Sequence, residues 1–246
     1  MNLGLKRLFK SLGFLKHPSL KENKRFFCDL NWNKPLEDYD FVVFDTELTG
    51  LEPSNDEIVS IGAVRVRNLR IAVGRTFFCY ARPNKPLPKD STLIHRITPD
   101  QIIGAPPLED ILPDFVSFLH GAVIVGHFVS IDISFLNRAT KSYMGGIIKN
   151  PFVDTMKMAQ YYEDHKRRRY YEDAAPKLSF GLNDLSKKYG LPLFEKHDAL
   201  EDAMQTAYLF LFLMKKFKNL GISTLKDLFT GQKKAAFSSD QDSYSA

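Results

Sequence analysis

Two carboxylates stand two residues apart at the end of an apolar run, in the stretch FVVFDTELTG at residues 41–50. Side chains alternate between faces along an extended strand, so Asp45 and Glu47 are expected on the same face. Two carboxylates held together repel each other unless one pKa rises or a cation binds between them. The pair therefore predicts a cation site or, as the plainer alternative, a polar turn in which Asp45 caps local N–H groups.

Two further carboxylates occur where helices are predicted. Asp132 opens a helix pattern directly after a short apolar strand pattern, where its alternative role is to stabilise the helix N-terminus. Asp202 lies on a long helix pattern over 198–217 and borders its apolar stripe, whereas Asp198 and Glu201 lie further round toward solvent. A carboxylate that faces the interior needs a partner, because an unpaired buried charge is very costly.

His197 stands five residues before Asp202, at the predicted entrance of the same helix. A histidine at such a position is commonly a surface or capping residue, but beside an activated water it is a candidate general base. Hard divalent cations such as Mg²⁺ prefer oxygen ligands, and phosphoryl-transfer enzymes often hold two of them about 3.5–4 Å apart. Three or four carboxylates from strand ends and helices would suit a site of this kind.

The segments that must position these residues alternate between strand and helix patterns, which is typical of open α/β sheets. Two long strand patterns joined at a tight turn around Asn68 predict an antiparallel hairpin. The predicted strands cover 40–45, 57–66, 70–83, 122–126 and 151–155, and the predicted helices cover 108–120 with Pro113 inside, 130–140, 181–190 ending at Gly190, and 198–217.

Composition restricts the class of protein. The chain has 246 residues with 44% hydrophobic content, enough for one sizeable core. No apolar run approaches the roughly 20 residues of a membrane-spanning helix, and the N-terminus lacks the pattern of a secretory signal. A cytoplasmic protein without a membrane partner is therefore expected. Cys28 and Cys79 show no metal-ligand spacing and are expected to be reduced packing residues.

Positive charge is concentrated at the N-terminus. Residues 1–35 hold eight Lys or Arg against two acidic residues, a net charge of +6, so the remainder carries −1 of the formal +5. Residues 3–15 show the pattern of a basic amphipathic helix. The expected organisation is a basic arm or linker at 1–37, one domain at 38–217, and an extension at 218–246 whose polar tail is expected to be disordered.

Three segments, DTELTG, GHFVSIDISFL and HDALEDA, follow one another in that order. Together they resemble the three exonuclease motifs of the DnaQ-like 3′→5′ exonucleases, the DEDDh branch of the RNase H-like superfamily, and especially the polymerase III epsilon-type proofreading enzymes. The resemblance covers roughly residues 38–217. It implies an RNase H-like α/β fold, in which helices flank a mixed five-stranded sheet.

The resemblance also implies roles for individual residues. Asp45, Glu47, Asp132 and Asp202 would ligate two Mg²⁺ or Mn²⁺ ions, and His197 would take the proton from the attacking water. The substrate contacts implied are Thr46, Leu48, Thr49 and Gly50 of the first motif, and His95 in the segment LIHRIT, which resembles the segment that covers the terminal nucleotide. Asp154, at a strand-to-helix junction of the family, is expected to structure the fold.

Four positions depart from the family pattern. Leu48 replaces a common threonine, and Ser60 stands where an acidic residue is often found. Phe128 stands where Asn is common, and Ile131 where Phe is common. None of these changes removes an implied metal ligand or the implied base. They concern the positioning of the terminal nucleotide and therefore the substrate preference.

The leading hypothesis is a metal-dependent exonuclease that removes nucleoside 5′-monophosphates from the 3′ end of DNA. Its partners would be single-stranded nucleic acid or a frayed 3′ end, and a DNA polymerase. One alternative is an RNA 3′-trimming enzyme or oligoribonuclease, since the same motifs serve both substrates. Another is a docking module without catalysis. A third places the main functional surface on the arm and the basic run Lys166–Arg169, which is otherwise a solvated loop.

Overall fold

The computed structural model describes residues 16–170, 178–194 and 198–230. Its strands are β1 (Asp40–Leu48), β2 (Ile58–Arg67), β3 (Arg70–Tyr80), β4 (Ala122–Gly126) and β5 (Phe152–Asp154). Its helices are α1 (Pro18–Cys28), α2 (Lys89–His95), α3 (Pro99–Ile102), α4 (Leu108–Phe118), α5 (Ser130–Met144), α6 (Thr155–Tyr170), α7 (Leu182–Tyr189) and α8 (Ala199–Lys218), followed by a helical segment at 225–230.

The strands form one mixed five-stranded sheet in the order β3-β2-β1-β4-β5. β1 pairs antiparallel with β2 and parallel with β4, while β2 pairs antiparallel with β3 and β4 parallel with β5. The hairpin predicted around Asn68 is confirmed, and Asn68 and Leu69 take the positive φ angles of a tight hairpin turn. The predicted mixed sheet flanked by helices is also confirmed.

β1 is the central strand of the sheet, and its apolar residues are buried on both faces. Phe41 and Val43 belong to an apolar cluster with α8, whereas Val42 and Phe44 belong to a cluster with α4 and α5. This two-sided burial explains why the strand reads as a continuous apolar run. It also means that the carboxylates at its end stand on well-packed backbone.

Helix α8 crosses the sheet in direct contact with β2. A Cβ atom placed on Gly62 would lie 2.1 Å from both the carbonyl carbon of Ala199 and the backbone nitrogen of Leu200. Gly62 is also the β2 partner of Asp45 on β1. The absence of a side chain at Gly62 therefore brings the first turn of α8, which carries Asp202, next to the end of β1.

Several segments differ from the sequence-based interpretation, which predicted no helices over 89–95 and 99–102, where α2 and α3 lie. Part of the predicted arm or linker is helix α1, which packs on the core through buried Leu20 and Asn23. The basic run Lys166–Arg169, interpreted as a loop in its plainer alternative, lies on helical backbone because α6 continues to Tyr170. The amphipathic pattern at 3–15 and the polar tail from residue 231 lie outside the described residues.

Candidate active site

Three of the four predicted ligand carboxylates come together where β1 ends. Asp45, Glu47 and Asp202 each offer an oxygen, and these oxygens all lie within 4.8 Å of one another. The two β1 residues point to the same face, as the alternation of the strand requires. Glu47 is buried, and the other two are half-buried. The cluster is therefore only partly accessible to solvent.

Asp132, the fourth predicted ligand, is buried at the start of α5, and a residue of β1 orients its side chain. The hydroxyl of Thr46 donates a hydrogen bond to its Oδ1 at 2.5 Å. Thr46 lies between Asp45 and Glu47 on the strand, so its side chain points to the opposite face. Thr46 thus connects the β1 part of the site to Asp132 on α5. The hydrogen bond of its side chain in this structure is to this carboxylate.

Burial and mutual repulsion raise the carboxylate pKa values. Loss of hydration on burial, followed by the neighbouring negative charges, raises the pKa of Asp45 well above its ordinary value. The same causes raise the pKa of Glu47 to about 8, with Asp202 the largest charge contribution. Burial raises the pKa of Asp132 to about 7, although its hydrogen bond from Thr46 opposes the rise. Such concentrated negative charge favours the binding of a cation.

Asp198 also affects the electrostatics of the site, although the sequence pattern predicted that it lies toward solvent. It is the N-cap of α8, and its Oδ1 accepts hydrogen bonds from the backbone N–H groups of Leu200 at 3.0 Å and Glu201 at 3.1 Å. Its charge contributes to the raised pKa values of both Asp45 and Glu47. An aspartate at a helix N-cap can be recognised from the sequence, but its proximity to β1 cannot.

The residues after Glu47 form a closed loop. The Thr49 hydroxyl donates to Oδ1 of Asp56 at 3.1 Å and accepts from the backbone of Glu57 at 3.0 Å. A Cβ atom on Gly50 would lie 2.4 Å from the Asp56 carboxylate. Leu48 packs half-buried against the core cluster of α4 and α5. These contacts are internal to the protein, and substrate contact by this loop stays a prediction.

The loop is also fastened to α5 from outside. The guanidinium of Arg138 donates to the backbone carbonyls of Pro53, Ser54 and Asp56, at 2.8 Å for Ser54 and 3.0 Å for Asp56. Helix α5 carries Asp132 near its start, so one helix supports both the fourth carboxylate and the loop that follows β1. No sequence motif indicated this clamp.

Two histidines were predicted to be functional. His95, at the end of α2, is buried, and its Nδ1 accepts a hydrogen bond from the backbone N–H of Ile97 at 3.0 Å. His197 lies outside the described residues and directly precedes the N-cap Asp198 in the chain. Asp154 is buried, and its Oδ1 accepts from the backbone N–H groups of Phe128 at 3.1 Å and Met156 at 2.9 Å, in keeping with a structural role.

The sequence of the chain matches a family of known proteins. The model of the exonuclease family RNase_T matches residues 42–210, well over half of the chain. The chain belongs to this exonuclease family. The match spans the first-motif carboxylates, Asp132 and Asp202, and it confirms the resemblance on which the sequence-based identification rested.

Curated relatives of this chain include much longer proteins. A "DNA polymerase III PolC-type" of Caldanaerobacter subterraneus subsp. tengcongensis is 33% identical over 190 residues, which are 77% of this chain and 12% of the relative. A "DNA polymerase III subunit epsilon-like protein" of Rhodobacter capsulatus is 34% identical over 207 residues, which are 81% of this chain and 27% of the relative. The chain therefore spans only a minor part of these relatives.

Solved structures of exonucleases share the fold of this chain. Exonuclease X in complex with 5′ overhanging duplex DNA aligns with a TM-score of 0.57 and 24% identity, over 78% of this chain and 99% of that one. E. coli Exonuclease I in complex with a dT13 oligonucleotide aligns with a TM-score of 0.61 and 19% identity, over 75% of this chain and 44% of that one. At these identities the likeness is one of fold. Among the described residues, no helix has the length and apolarity needed to cross a membrane.

Proposed function

We propose that this exonuclease removes nucleotides from the 3′ end of DNA and releases nucleoside 5′-monophosphates. The main support for the proposal is that carboxylate oxygens of Asp45, Glu47 and Asp202 lie within 4.8 Å of one another, Asp45 and Glu47 being at the end of a buried strand. Together with buried Asp132 they supply a set of oxygen donors that fits hard divalent cations. The match to the exonuclease family and the names of the polymerase-type relatives support the reaction and the choice of DNA.

Asp45, Glu47, Asp132 and Asp202 would hold two Mg²⁺ or Mn²⁺ ions. When bound, such ions would polarise the phosphate, favour ionisation of a water and stabilise the leaving oxygen. The protein's own contribution is to hold these carboxylates in place before substrate arrives. β1 fixes Asp45 and Glu47, the Thr46 hydroxyl orients Asp132, and the close packing of α8 on β2 brings Asp202 to them.

His197 is assigned as the general base in this proposal. It would accept a proton as the water oxygen bonds to phosphorus and the bond to the 3′ oxygen of the penultimate nucleotide breaks. The N-cap hydrogen bonds of Asp198 anchor the chain immediately after His197. We expect His197→Ala to lower turnover by about 10²- to 10⁴-fold with Mn²⁺ affinity unchanged, as measured by single-turnover digestion and calorimetric titration. Unchanged turnover would contradict the assignment.

The proposed substrate is single-stranded DNA or a frayed 3′ end. The proposed location is the cytoplasm, and the proposed partner is a DNA polymerase. The epsilon-like and PolC-type names of relatives support a polymerase partner. Structural neighbours include an exonuclease bound to overhanging duplex DNA and one bound to an oligonucleotide. The alternative substrate is RNA, because the same carboxylate chemistry serves both polymers and the 2′-hydroxyl is what distinguishes them.

The test is digestion of three substrates that carry the same 5′ label: single-stranded DNA, duplex DNA with a mismatched 3′ end, and RNA of the same sequence. With Mg²⁺ or Mn²⁺ we expect stepwise shortening of the DNAs from the 3′ end, and none with EDTA. Asp202→Asn should abolish digestion, and Glu22→Gln, which changes an exposed carboxylate on α1, should not. Faster digestion of RNA would favour the alternative substrate. No digestion by the wild-type protein would favour a docking module.

A further inference from the structure

Phe128 has an unusual backbone conformation beside the proposed active site. Its φ angle is +55°, in the left-handed region that favours glycine and that bulky side chains rarely adopt. Its side chain is 44% exposed, although phenylalanine is an apolar residue. An energetically unfavourable backbone angle and an exposed aromatic ring occur together at one position. Such outliers persist where the surrounding structure enforces them, and they concentrate at functional sites.

The position of Phe128 in the fold is at the carboxyl end of β4, next to the carboxylates. β4 runs parallel to β1 with Val43 opposite Val125, so the connection after β4 emerges beside Asp45. Four residues after Phe128 comes Asp132, whose carboxylate is bonded to Thr46 of β1. Ligands of open α/β sheets bind in the crevice outside the carboxyl ends of the strands. The exposed ring therefore borders the proposed substrate cleft.

The surrounding residues hold this backbone in place. The N–H of Phe128 donates to Oδ1 of Asp154 at 3.1 Å, and its carbonyl accepts from the N–H of Ile131 at 3.1 Å. The turn leaves no room at Gly126, where a Cβ atom would lie 2.6 Å from a methyl group of Val129. These contacts fix the backbone, but none of them involves the aromatic ring.

The ring is held by a second aromatic residue. It packs edge-on against the imidazole of His127, with ring centroids 4.9 Å apart. His127 is itself fixed, because Nε2 lies 2.9 Å from the carbonyl of Phe180 and Nδ1 lies 2.8 Å from the hydroxyl of Thr155. Burial lowers the pKa of His127 to about 4, so its imidazole is neutral near pH 7. The exposed ring of Phe128 thus rests against an imidazole that is itself fixed.

Core packing does not account for the phenylalanine. Phe128 belongs to none of the apolar clusters formed by the described residues, and neither does Ile131, which is 41% exposed. In the family motif that this segment resembles, Asn is common at position 128, and Asn tolerates a left-handed backbone better than Phe. This chain therefore has an aromatic ring at a position where a smaller polar residue would cause less strain.

We propose that Phe128 is a stacking platform for a nucleobase that flanks the scissile phosphate. This inference rests on the proposed function, because it assumes that a 3′ end occupies the cleft beside Asp132. An aromatic face binds any base through its π surface, so the contact would position the strand with little dependence on sequence. Substrate preference would then be set by stacking at this position, where an asparagine side chain would instead offer hydrogen bonds.

The first test compares Phe128→Asn with Phe128→Tyr and with Phe26→Asn, which changes a ring of equal 44% exposure on α1. Phe128→Asn should raise KM for single-stranded DNA by about 5- to 150-fold, which corresponds to the 1–3 kcal/mol of one stacked base. Because Asn suits the left-handed backbone, we expect the melting temperature of Phe128→Asn to rise by a few degrees. Phe128→Tyr should behave like the wild type, and Phe26→Asn should leave KM unchanged.

The second test removes the base instead of the ring. Oligonucleotides with an abasic site on either side of the scissile phosphate are digested by the wild type and by Phe128→Asn. If the ring stacks on a base, the effect of Phe128→Asn on KM should disappear for one of the two abasic substrates. An effect of equal size on all substrates, or no effect on KM at all, would overturn the proposal.

Failure of the stacking role and failure of the exonuclease activity would give different results. Loss of digestion by Asp202→Asn together with normal digestion by Phe128→Asn would support the exonuclease activity and refute the stacking role. No digestion by the wild type would refute the activity itself. A binding assay gives a reading besides activity: in the Asp202→Asn background, 2-aminopurine at the stacked position should lose fluorescence on binding, and Phe128→Asn should abolish that quenching.

Discussion

At the scale of the residue, the site depends on side chains that hold the carboxylates as well as on the carboxylates themselves. The motif positions indicated Asp45, Glu47, Asp132 and Asp202 from the sequence, since their types and order carry the resemblance. The sequence did not indicate that Thr46 orients Asp132, because the two residues lie 86 positions apart. Their contact depends on how α5 packs against β1, which no local pattern encodes.

Thr46 provides a prediction about this orienting role. Thr46→Val keeps the shape of the side chain but removes the hydrogen bond to Asp132. Because outer partners of metal ligands typically contribute 10- to 100-fold in affinity or activity, we expect a loss of that size in turnover or in Mn²⁺ affinity. Digestion rates and calorimetric titration measure both quantities. Thr46→Ser keeps the hydroxyl and should recover most of the loss, whereas an equal loss in both variants would argue against the hydrogen bond.

At the scale of the element, sequence periodicity predicted the strands and helices whose buried residues are mostly apolar. β1, the hairpin and α8 are of this kind. Helix α1 was not predicted from periodicity, because only Leu20 of its two buried residues, Leu20 and Asn23, is apolar. The end of α6 was not predicted either, because a run of Lys and Arg indicates solvent exposure but not backbone conformation.

The contact between α8 and β2 leads to a prediction at this scale. Gly62→Ala would place a methyl group 2.1 Å from the backbone of Ala199, where no flexible side chain can give way. We expect destabilisation of at least about 1–3 kcal/mol, and weaker Mn²⁺ binding because Asp202 is displaced. Thermal melting and metal titration measure these effects. Gly104→Ala is the matched control, since nothing lies within 4 Å of its added Cβ. Equal stability of the two variants would contradict this packing.

At the scale of the whole molecule, α1 is joined to the core on the side where β4 begins. Asn23 is fully buried; its Nδ2 donates to Oδ1 of Asn150 at 2.5 Å, and its Oδ1 accepts from the backbone of Lys149 at 2.8 Å. Asn150 in turn donates to the carbonyls of Leu119 and Ala122 at 2.8 Å. This buried polar network makes α1 part of the packed molecule.

The network predicts that α1 contributes to stability. Asn23→Ala would leave buried hydrogen-bonding groups without partners, which typically costs about 1–3 kcal/mol. For a chain of this size each kcal/mol lowers the melting temperature by about 2–4 °C. Asn33→Ala, at an exposed position beyond the helix, should leave the melting temperature unchanged. If the two variants melted alike, α1 would not be stabilised by these bonds.

If divalent cations hold the carboxylates at the end of β1 together, metal should change the stability of the protein through Asp45. The measurement is thermal melting of the wild type and Asp45→Asn, each with EDTA and with Mn²⁺. In EDTA, Asp45→Asn should melt at a higher temperature than the wild type, because one of the repelling charges is gone. Mn²⁺ should raise the melting temperature of the wild type, as expected for a ligand that binds the native state, and should have little effect on Asp45→Asn. Glu22→Gln should follow the wild type. Equal Mn²⁺ shifts in the wild type and Asp45→Asn would show that these carboxylates do not bind the cation.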